Sequence, residues 1–243
     1  MSMGGNDIGF SSIIAKCVTQ VSQDCYHYYE DRKELANNIN IQYPQLLRMY
    51  QSLQQSAATD AKIYIIGYPQ IAKADGDCAI NVHFSNTEVI FGNQLINYLN
   101  SVIEKAANAA GVYYVDVEDA FVGHRLCEST ADDIAVNGLT FGRGGPILGY
   151  PLATESYHPN ALGHQLFADA IAVKTGGLTA VMPQATNAEP VFAADADIPL
   201  LATAPKENRT VWPSQYSAAI TDDVMYKDTL ATLTADAKEY SLK

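Results

Sequence analysis

Gly4-Gly5-Asn6-Asp7, near the start of the chain, and Glu155-Ser156-Tyr157-His158-Pro159-Asn160, far downstream, hold the residue types that could do chemistry. An Asn amide held just beyond a strand can donate a hydrogen bond to a developing oxyanion, a contact whose loss costs about 10²–10³ in rate. Gly4 and Gly5 let the backbone turn sharply and approach a ligand closely. Asp7 is placed to buttress that loop by accepting backbone N–H bonds. In the second stretch Pro159 fixes one dihedral after His158, and Asn160 can cap a helix. A histidine framed in this way can serve as a general base. Its other ring nitrogen then needs an acceptor, and the Glu155 carboxylate or the Glu155 backbone carbonyl is near in sequence. His164 reads as structural, and His27, His83 and His124 lack such a frame. Each stretch taken alone also fits a purely structural role, as an ordinary turn and a capping histidine.

A nucleophile is harder to find. There is no Gly-x-Ser-x-Gly elbow. Ser11 and Ser12 open the segment after Asn6 and do not end a strand. Gly76-Asp77-Cys78 offers a thiol, but in a loop where a disulfide is the expected fate. Asp116, Asp119 and the histidines repeat no metal-ligand spacing, so neither a metal nor a cofactor is expected. Cys17, Cys25, Cys78 and Cys127 form no Cys-x-x-Cys pair. Three pairings are open. Cys17–Cys25, bracketing a short turn, and Cys78–Cys127, tying two loops, are favoured over four buried thiols. Disulfides would place the chain in an oxidising, extracytoplasmic compartment.

The elements that must position these residues follow from periodicity and punctuation. Lys62 to Pro69 and Val112 to Val117 are short, nearly continuous apolar runs, as in strands buried on both faces of a parallel sheet. Tyr26 to Ala57 reads as a helix in two pieces, interrupted at Pro44. Ser85-Asn86-Thr87-Glu88 has capping-box spacing. The helix it starts buries Leu95, Ile96, Leu99, Val102, Ile103 and Ala106, and Gly111 stops it. Residues 128–154, rich in glycine, read as a long surface loop. Asn160 caps a last helix with Leu162, Leu166, Phe167 and Ala170 inward. Strand, helix, strand, helix at these intervals indicates a layered α/β domain. From about Gly176, prolines punctuate short apolar pieces, so 1–174 is read as the domain and 175–243 as a tail, linker or start of a further module. Asn208-Arg209-Thr210 matches a glycosylation sequon of low specificity.

The chain has 243 residues, 48% of them apolar, and a formal net charge of −12. Such acidity disfavours binding to phosphate backbones, so nucleic acid is not an expected partner. No apolar stretch is long enough for a transmembrane span. No signal peptide stands ahead of the glycine block, so an exported parent protein would carry its signal upstream.

Together the two stretches resemble blocks of the SGNH (GDSL-type) serine hydrolase family, in its secreted actinobacterial-type lipase and esterase branch. Gly4-x-Asn6-Asp7 resembles the third block, and the stretch ending in His158 the fifth. Between them, Ile65-Ile66-Gly67-Tyr68-Pro69 is similar to a strand-end motif of that branch. Val115-Asp116-Val117 through Ala120-Phe121, Gly123-His124 and Cys127 is similar to its next strand and following cysteine. Glu155 to Ala161, with Gly163-His164, resembles its catalytic-histidine loop. The likeness covers roughly residues 3–173. It implies a flavodoxin-like three-layer sandwich with a parallel sheet, the SGNH hydrolase fold, in strand order 2-1-3-4-5. It also implies hydrolysis of acyl or lipid esters by Ser and His, with Asn6 as oxyanion donor and His158 as base. Glu155 falls where family members with an Asp use it to orient the imidazole; the branch resembled can use the backbone carbonyl there instead. The resemblance supports both cysteine pairings and an extracellular or cell-surface location.

The first two family blocks, with the nucleophilic Ser in Gly-Asp-Ser and an oxyanion Gly, do not occur in the chain. The expectation is therefore an N-terminally truncated domain holding strands 3-4-5, poorly active or inactive alone, and completed by a missing N-terminal segment or further domains. The competing expectation is an inactive SGNH-like remnant serving as an extracellular binding or structural module. A nucleotide-binding flavodoxin-like protein is a third reading, and no phosphate-loop motif supports it.

Overall fold

The computed structural model describes residues 1–20, 23–129, 133–140 and 155–176. In chain order these form α1 (Phe10–Thr19), α2 (Tyr29–Ser56), β1 (Tyr64–Ile66), α3 (Asn86–Ala110), β2 (Tyr113–Val115) and α4 (Ala161–Lys174). Strands β1 and β2 pair in parallel with Ile65 opposite Tyr114. On the other side of β1, the Ile66 N–H donates to the Met1 carbonyl at 2.8 Å, and the Met1 amine donates to the Tyr64 carbonyl at 2.8 Å. Met1 therefore lies beside Ile65 in parallel sense, and Gly4 to Asp7 emerge beyond the C-terminal end of β1. A parallel bridge between Ala72 and Leu126 extends the pairing past the same edge.

Two apolar clusters hold these elements. The larger packs Leu35, Ile39, Leu46 and Tyr50 of α2 against Leu95, Leu99 and Ile103 of α3, over Ile65 of β1. The smaller lies with the loops after the strands and joins Ala72, Val82, Phe121, Leu126, Val136, Leu139 and Tyr157. Each large apolar side chain buried in this way contributes roughly 1.5–3 kcal/mol.

Helix α3 begins and ends as its sequence requires. The Ser85 hydroxyl accepts from the Glu88 N–H at 3.2 Å, and the Glu88 carboxylate accepts from the Ser85 N–H at 2.9 Å. At the other end Gly111 closes the helix in the left-handed region, at φ 72°. Its buried face is the one the apolar spacing specifies.

Pro44 does not divide the second helix. It sits buried inside an unbroken α2 of 28 residues. A helix-interior proline costs about 3 kcal/mol, and the α2 side chains sealed against α3 more than offset that. Helix α1 was not evident in the sequence, because its N-cap is Gly9, which offers no side-chain cap. In α4, Asn160 caps as expected, but Leu162, Leu166, Phe167 and Ala170 are only half-buried, and Gly163 is the buried residue of that helix. Most of 128–154, nearly all of 175–243 and the 208–210 sequon lie outside the described residues.

Candidate active site

The Asn6 turn is built on β1 and α3. Asn100 of α3 grips the backbone of Tyr68 with both amide atoms, accepting from its N–H at 2.7 Å and donating to its carbonyl at 2.8 Å. The Tyr68 hydroxyl then accepts from the Gly5 N–H at 2.9 Å. A Cβ at residue 5 would stand 3.0 Å from the Tyr68 ring, tighter than side chains normally pack, so the ring or the turn would have to shift to admit it. Gly4 has φ 114°, a conformation that favours glycine. Backbone bonds from Ile8 to Gly4, Gly9 to Asn6 and Phe10 to Gly5 complete the turn and lead into α1. The Asn6 amide is exposed, with no hydrogen-bond partner among the described residues. The Asp7 carboxylate is equally exposed and unpaired among them, so backbone groups and the Tyr68 hydroxyl, not Asp7, buttress the turn.

His158 hangs on a second construction at the C-terminal edge of the sheet. Residues 134–140 run beside 155–160: Val136 bridges Pro159 in antiparallel sense, and the Asn160 N–H donates to the Ala135 carbonyl at 2.9 Å. The Ala135 N–H reaches back to the His124 carbonyl at 2.7 Å. The Asn160 side chain works in both directions, accepting from the Gly163 N–H at 3.0 Å and donating to the Ile134 carbonyl at 2.5 Å. A Cβ on Gly163 would lie 2.1 Å from the Ala135 carbonyl oxygen, so α4 can approach this segment only through glycine. Tyr157 turns the chain with φ 60°. A non-glycine residue held there costs of order 1–3 kcal/mol and must be fixed by its surroundings. Its hydroxyl donates to the Val82 carbonyl at 2.7 Å, and its ring packs on Phe84. Burial pushes that hydroxyl well above the usual phenol range.

The imidazole acceptor is neither part of Glu155. His158 Nδ1 lies 3.0 Å from the Ser156 carbonyl oxygen. That oxygen can only accept, so in the neutral imidazole Nδ1 carries the proton and Nε2 is the nitrogen that can accept one. The Glu155 carbonyl instead accepts from the His158 backbone N–H at 3.1 Å. The Glu155 side chain is exposed and makes no contact with His158 among the described residues. Ser156 and the segment 134–140 are the participants that sequence reasoning missed.

The cysteines pair as Cys17–Cys25 and Cys78–Cys127, leaving no free thiol. Cys78 therefore cannot act as a nucleophile. The first bridge ties α1 to the segment entering α2, beside buried Glu88, which accepts from the Cys25 N–H at 2.9 Å. Burial, with Asp24 adding repulsion, holds the Glu88 carboxyl above its usual range against the pull of those N–H bonds. Among the described residues, Cys17, Cys25 and Glu88 are the one group whose atoms lie close enough to ligate a metal. Both sulfurs are committed to the disulfide, so the group lacks the thiolates that a metal would need. Asp116 caps the turn after β2, accepting from the Glu118 N–H at 2.9 Å.

The family model for the GDSL-like lipase/acylhydrolase family matches residues 1–166. The chain belongs to that family. Within this SGNH family it is 30% identical to Lipase 1 of Streptomyces coelicolor over 163 residues, 67% of this chain and 54% of that protein. It is 29% identical to a lipase of Streptomyces rimosus over 164 residues, again 67% and 54%. The chain thus spans about half the length of these relatives. Among solved structures, the extracellular lipase of Streptomyces rimosus superposes with a TM-score of 0.57 at 26% identity, covering 71% of this chain and 67% of that one. Phospholipase A1 of Streptomyces albidoflavus gives 0.55 at 25% identity, covering 71% and 66%. The α/β architecture with a parallel sheet is that of the SGNH fold, and the relatives place the chain in the actinobacterial lipase branch. No described helix is long and apolar enough to cross a membrane.

Proposed function

We propose that Asn6 and His158 are the oxyanion donor and general base of a carboxylic ester hydrolase acting on acyl or lipid esters. The observation that carries this reading is the contact between His158 Nδ1 and the Ser156 carbonyl, which leaves Nε2 as the proton acceptor. The nucleophilic serine is supplied from outside these 243 residues, since the chain has no Gly-Asp-Ser. In the proposed reaction His158 Nε2 takes the serine hydroxyl proton as the oxygen attacks the ester carbonyl. The Asn6 amide donates to the oxyanion that forms. The imidazolium then returns its proton to the leaving alcohol, and water, activated by the same nitrogen, hydrolyses the acyl-enzyme. Membership of a lipase family, both loops arising at the C-terminal edge of the parallel sheet, and an Asn6 amide unpaired among the described residues support the assignment.

Residues 1–174 form the hydrolase-like domain in this reading, and 175–243 a tail or the start of a further module. The two disulfides and the extracellular relative support a location outside the cytoplasm. The acidic surface argues against nucleic acid as a partner.

The test is hydrolysis of p-nitrophenyl acetate by this chain with and without a co-expressed N-terminal segment carrying Gly-Asp-Ser. Activity should appear with the segment and fall about 10²–10³-fold in Asn6→Ala. It should fall further in His158→Ala. Activity indifferent to both substitutions would refute the assignment. The second reading, a non-catalytic extracellular module, is favoured by the commitment of every cysteine to a disulfide, which leaves no substitute thiol. That reading predicts no rescue by the segment.

A further inference from the structure

We infer that Asn137 is a positioning residue for His158: its side-chain amide fixes the turn that presents the Ser156 carbonyl to the imidazole. The inference rests on reading His158 as the base.

Asn137 touches three of the four residues in that turn. Its backbone N–H donates to the His158 carbonyl at 2.9 Å, and its own carbonyl accepts from the Tyr157 N–H at 3.1 Å. Its side chain adds a third contact, donating from Nδ2 to the Glu155 carbonyl at 3.2 Å. The same Glu155 oxygen accepts the His158 backbone N–H at 3.1 Å. One carbonyl thus ties the start of the turn to its end, and the Asn137 amide holds that carbonyl in place. Three residues on, Thr140 takes hold of the next position: buried Ser156 accepts from the Thr140 N–H at 3.1 Å and donates to its carbonyl at 3.3 Å. The two peptide planes flanking Ser156 are therefore held by Asn137, through the Glu155 carbonyl and the Tyr157 N–H, while Thr140 holds the Ser156 hydroxyl, and together these contacts set the direction of the Ser156 carbonyl.

The pinning has work to do, because Tyr157 at φ 60° favours relaxation of the turn. Glu155 and His158 are both exposed, so water competes for the Glu155 carbonyl once the amide is removed. A turn freed in this way no longer aims the Ser156 oxygen at Nδ1, and the imidazole can move its proton to Nε2. That tautomer cannot accept a proton from a nucleophile. An amide suits the position because it donates without charge; a carboxylate would repel the Glu155 oxygen and add a negative charge beside the imidazole.

The test is nitrogen NMR of the chain with labelled histidine, assigning His158 by its loss in His158→Gln. The expected parent signal is Nδ1–H with Nε2 bare. In Asn137→Ala, and in the nearly isosteric Asn137→Asp, the Nε2–H form should rise at the expense of Nδ1–H. The signals of His27, His83, His124 and His164 should not move. Asn137→Asp keeps the comparison available if the alanine variant does not fold. A parent-like His158 tautomer in the folded variant or variants would overturn the inference, even if stability has fallen. The measurement needs no hydrolysis, so its failure is separate from failure of the ester-hydrolase reading. In the reconstituted hydrolase the same substitutions should lower kcat roughly 10- to 100-fold with KM unchanged, the scale of a misplaced catalytic group.

Discussion

Replacing Tyr68 by Phe removes one oxygen from the turn that carries Asn6 and leaves the ring that packs against Gly5. In the parent that oxygen accepts the Gly5 N–H at 2.9 Å, and Gly5 is buried. The Tyr68 backbone stays gripped by Asn100 in the variant, since those bonds involve only main-chain atoms of residue 68. The perturbation is therefore confined to one buried donor that loses its acceptor. Such a loss costs about 1–3 kcal/mol, which raises the population of the opened turn by roughly 5- to 150-fold at 25 °C. The assay is hydrogen exchange at the Gly5 amide in parent and variant, with the urea midpoint recorded alongside. The Gly5 amide should lose protection by that factor, while the amides of α3 lose no more than the global change in stability accounts for. Unchanged protection at Gly5 would show that the hydroxyl does not hold the turn, and the account of how Asn6 is placed would fail with it.

Two glycine substitutions should act in opposite directions. Gly163→Ala puts a Cβ 2.1 Å from the Ala135 carbonyl oxygen and should destabilise by about 1–3 kcal/mol by pushing α4 away from the 134–140 segment. Gly92→Ala lies inside α3 with nothing within 4 Å and should stabilise by about 0.8–1 kcal/mol; urea midpoints measure both, and equal effects would contradict the packing. Arg125, bonded to Glu128 at 2.7 Å, holds the Glu128 carboxyl down to about 2, so its contribution is intact above the usual value of 4.5 and disappears as pH falls from 4.5 towards 2. Glu128→Gln should flatten that acid limb of the stability curve; an equally steep limb would contradict it. Glu88 has the opposite sign: the folded state keeps its proton to higher pH than the unfolded chain, so stability falls as pH rises from 4.5 through its raised value. Glu88→Gln should remove that decline, at the cost of one N–H acceptor.

What the sequence made legible was whatever is decided within a few residues. The Ser85 capping box, the Gly111 stop and the Asn160 cap are local hydrogen-bond devices, and the apolar run around Ile65 does form a strand. Only the Ile65 face is fully buried, with Tyr64 and Ile66 half-buried and Tyr113 of the paired strand exposed, so the expectation of strands buried on both faces is not met. The continuity of α2 through Pro44 was not local: it depends on the α3 face that covers it. Helix α1 carries no capping side chain, and no start signal for it stands in the sequence. At the candidate site the types were readable and the partners were not. Asn6 and His158 stand out because few residues do their chemistry. The acceptor for His158 is a main-chain carbonyl, a group present at every position, and only the turn at Tyr157 selects the one at Ser156. The segment 134–140 gains its role from one bridge and backbone hydrogen bonds to 155–160 across a sequence gap, and no local pattern specifies that partner.

Convergence of the Asn6 amide and the His158 imidazole on one cleft is tested most directly by a distance. The four cysteines are all in disulfides, so a nitroxide can be attached selectively at Asn6→Cys and its effect read on the His158 ring signal. A control label at Gln54→Cys sits beside Gly111, ahead of β2 and at the opposite edge of the sheet. Strong broadening of His158 is expected from the label at position 6, and little from the label at position 54. A His158 signal that stays sharp with the label at position 6, or broadens equally with both, would contradict that convergence.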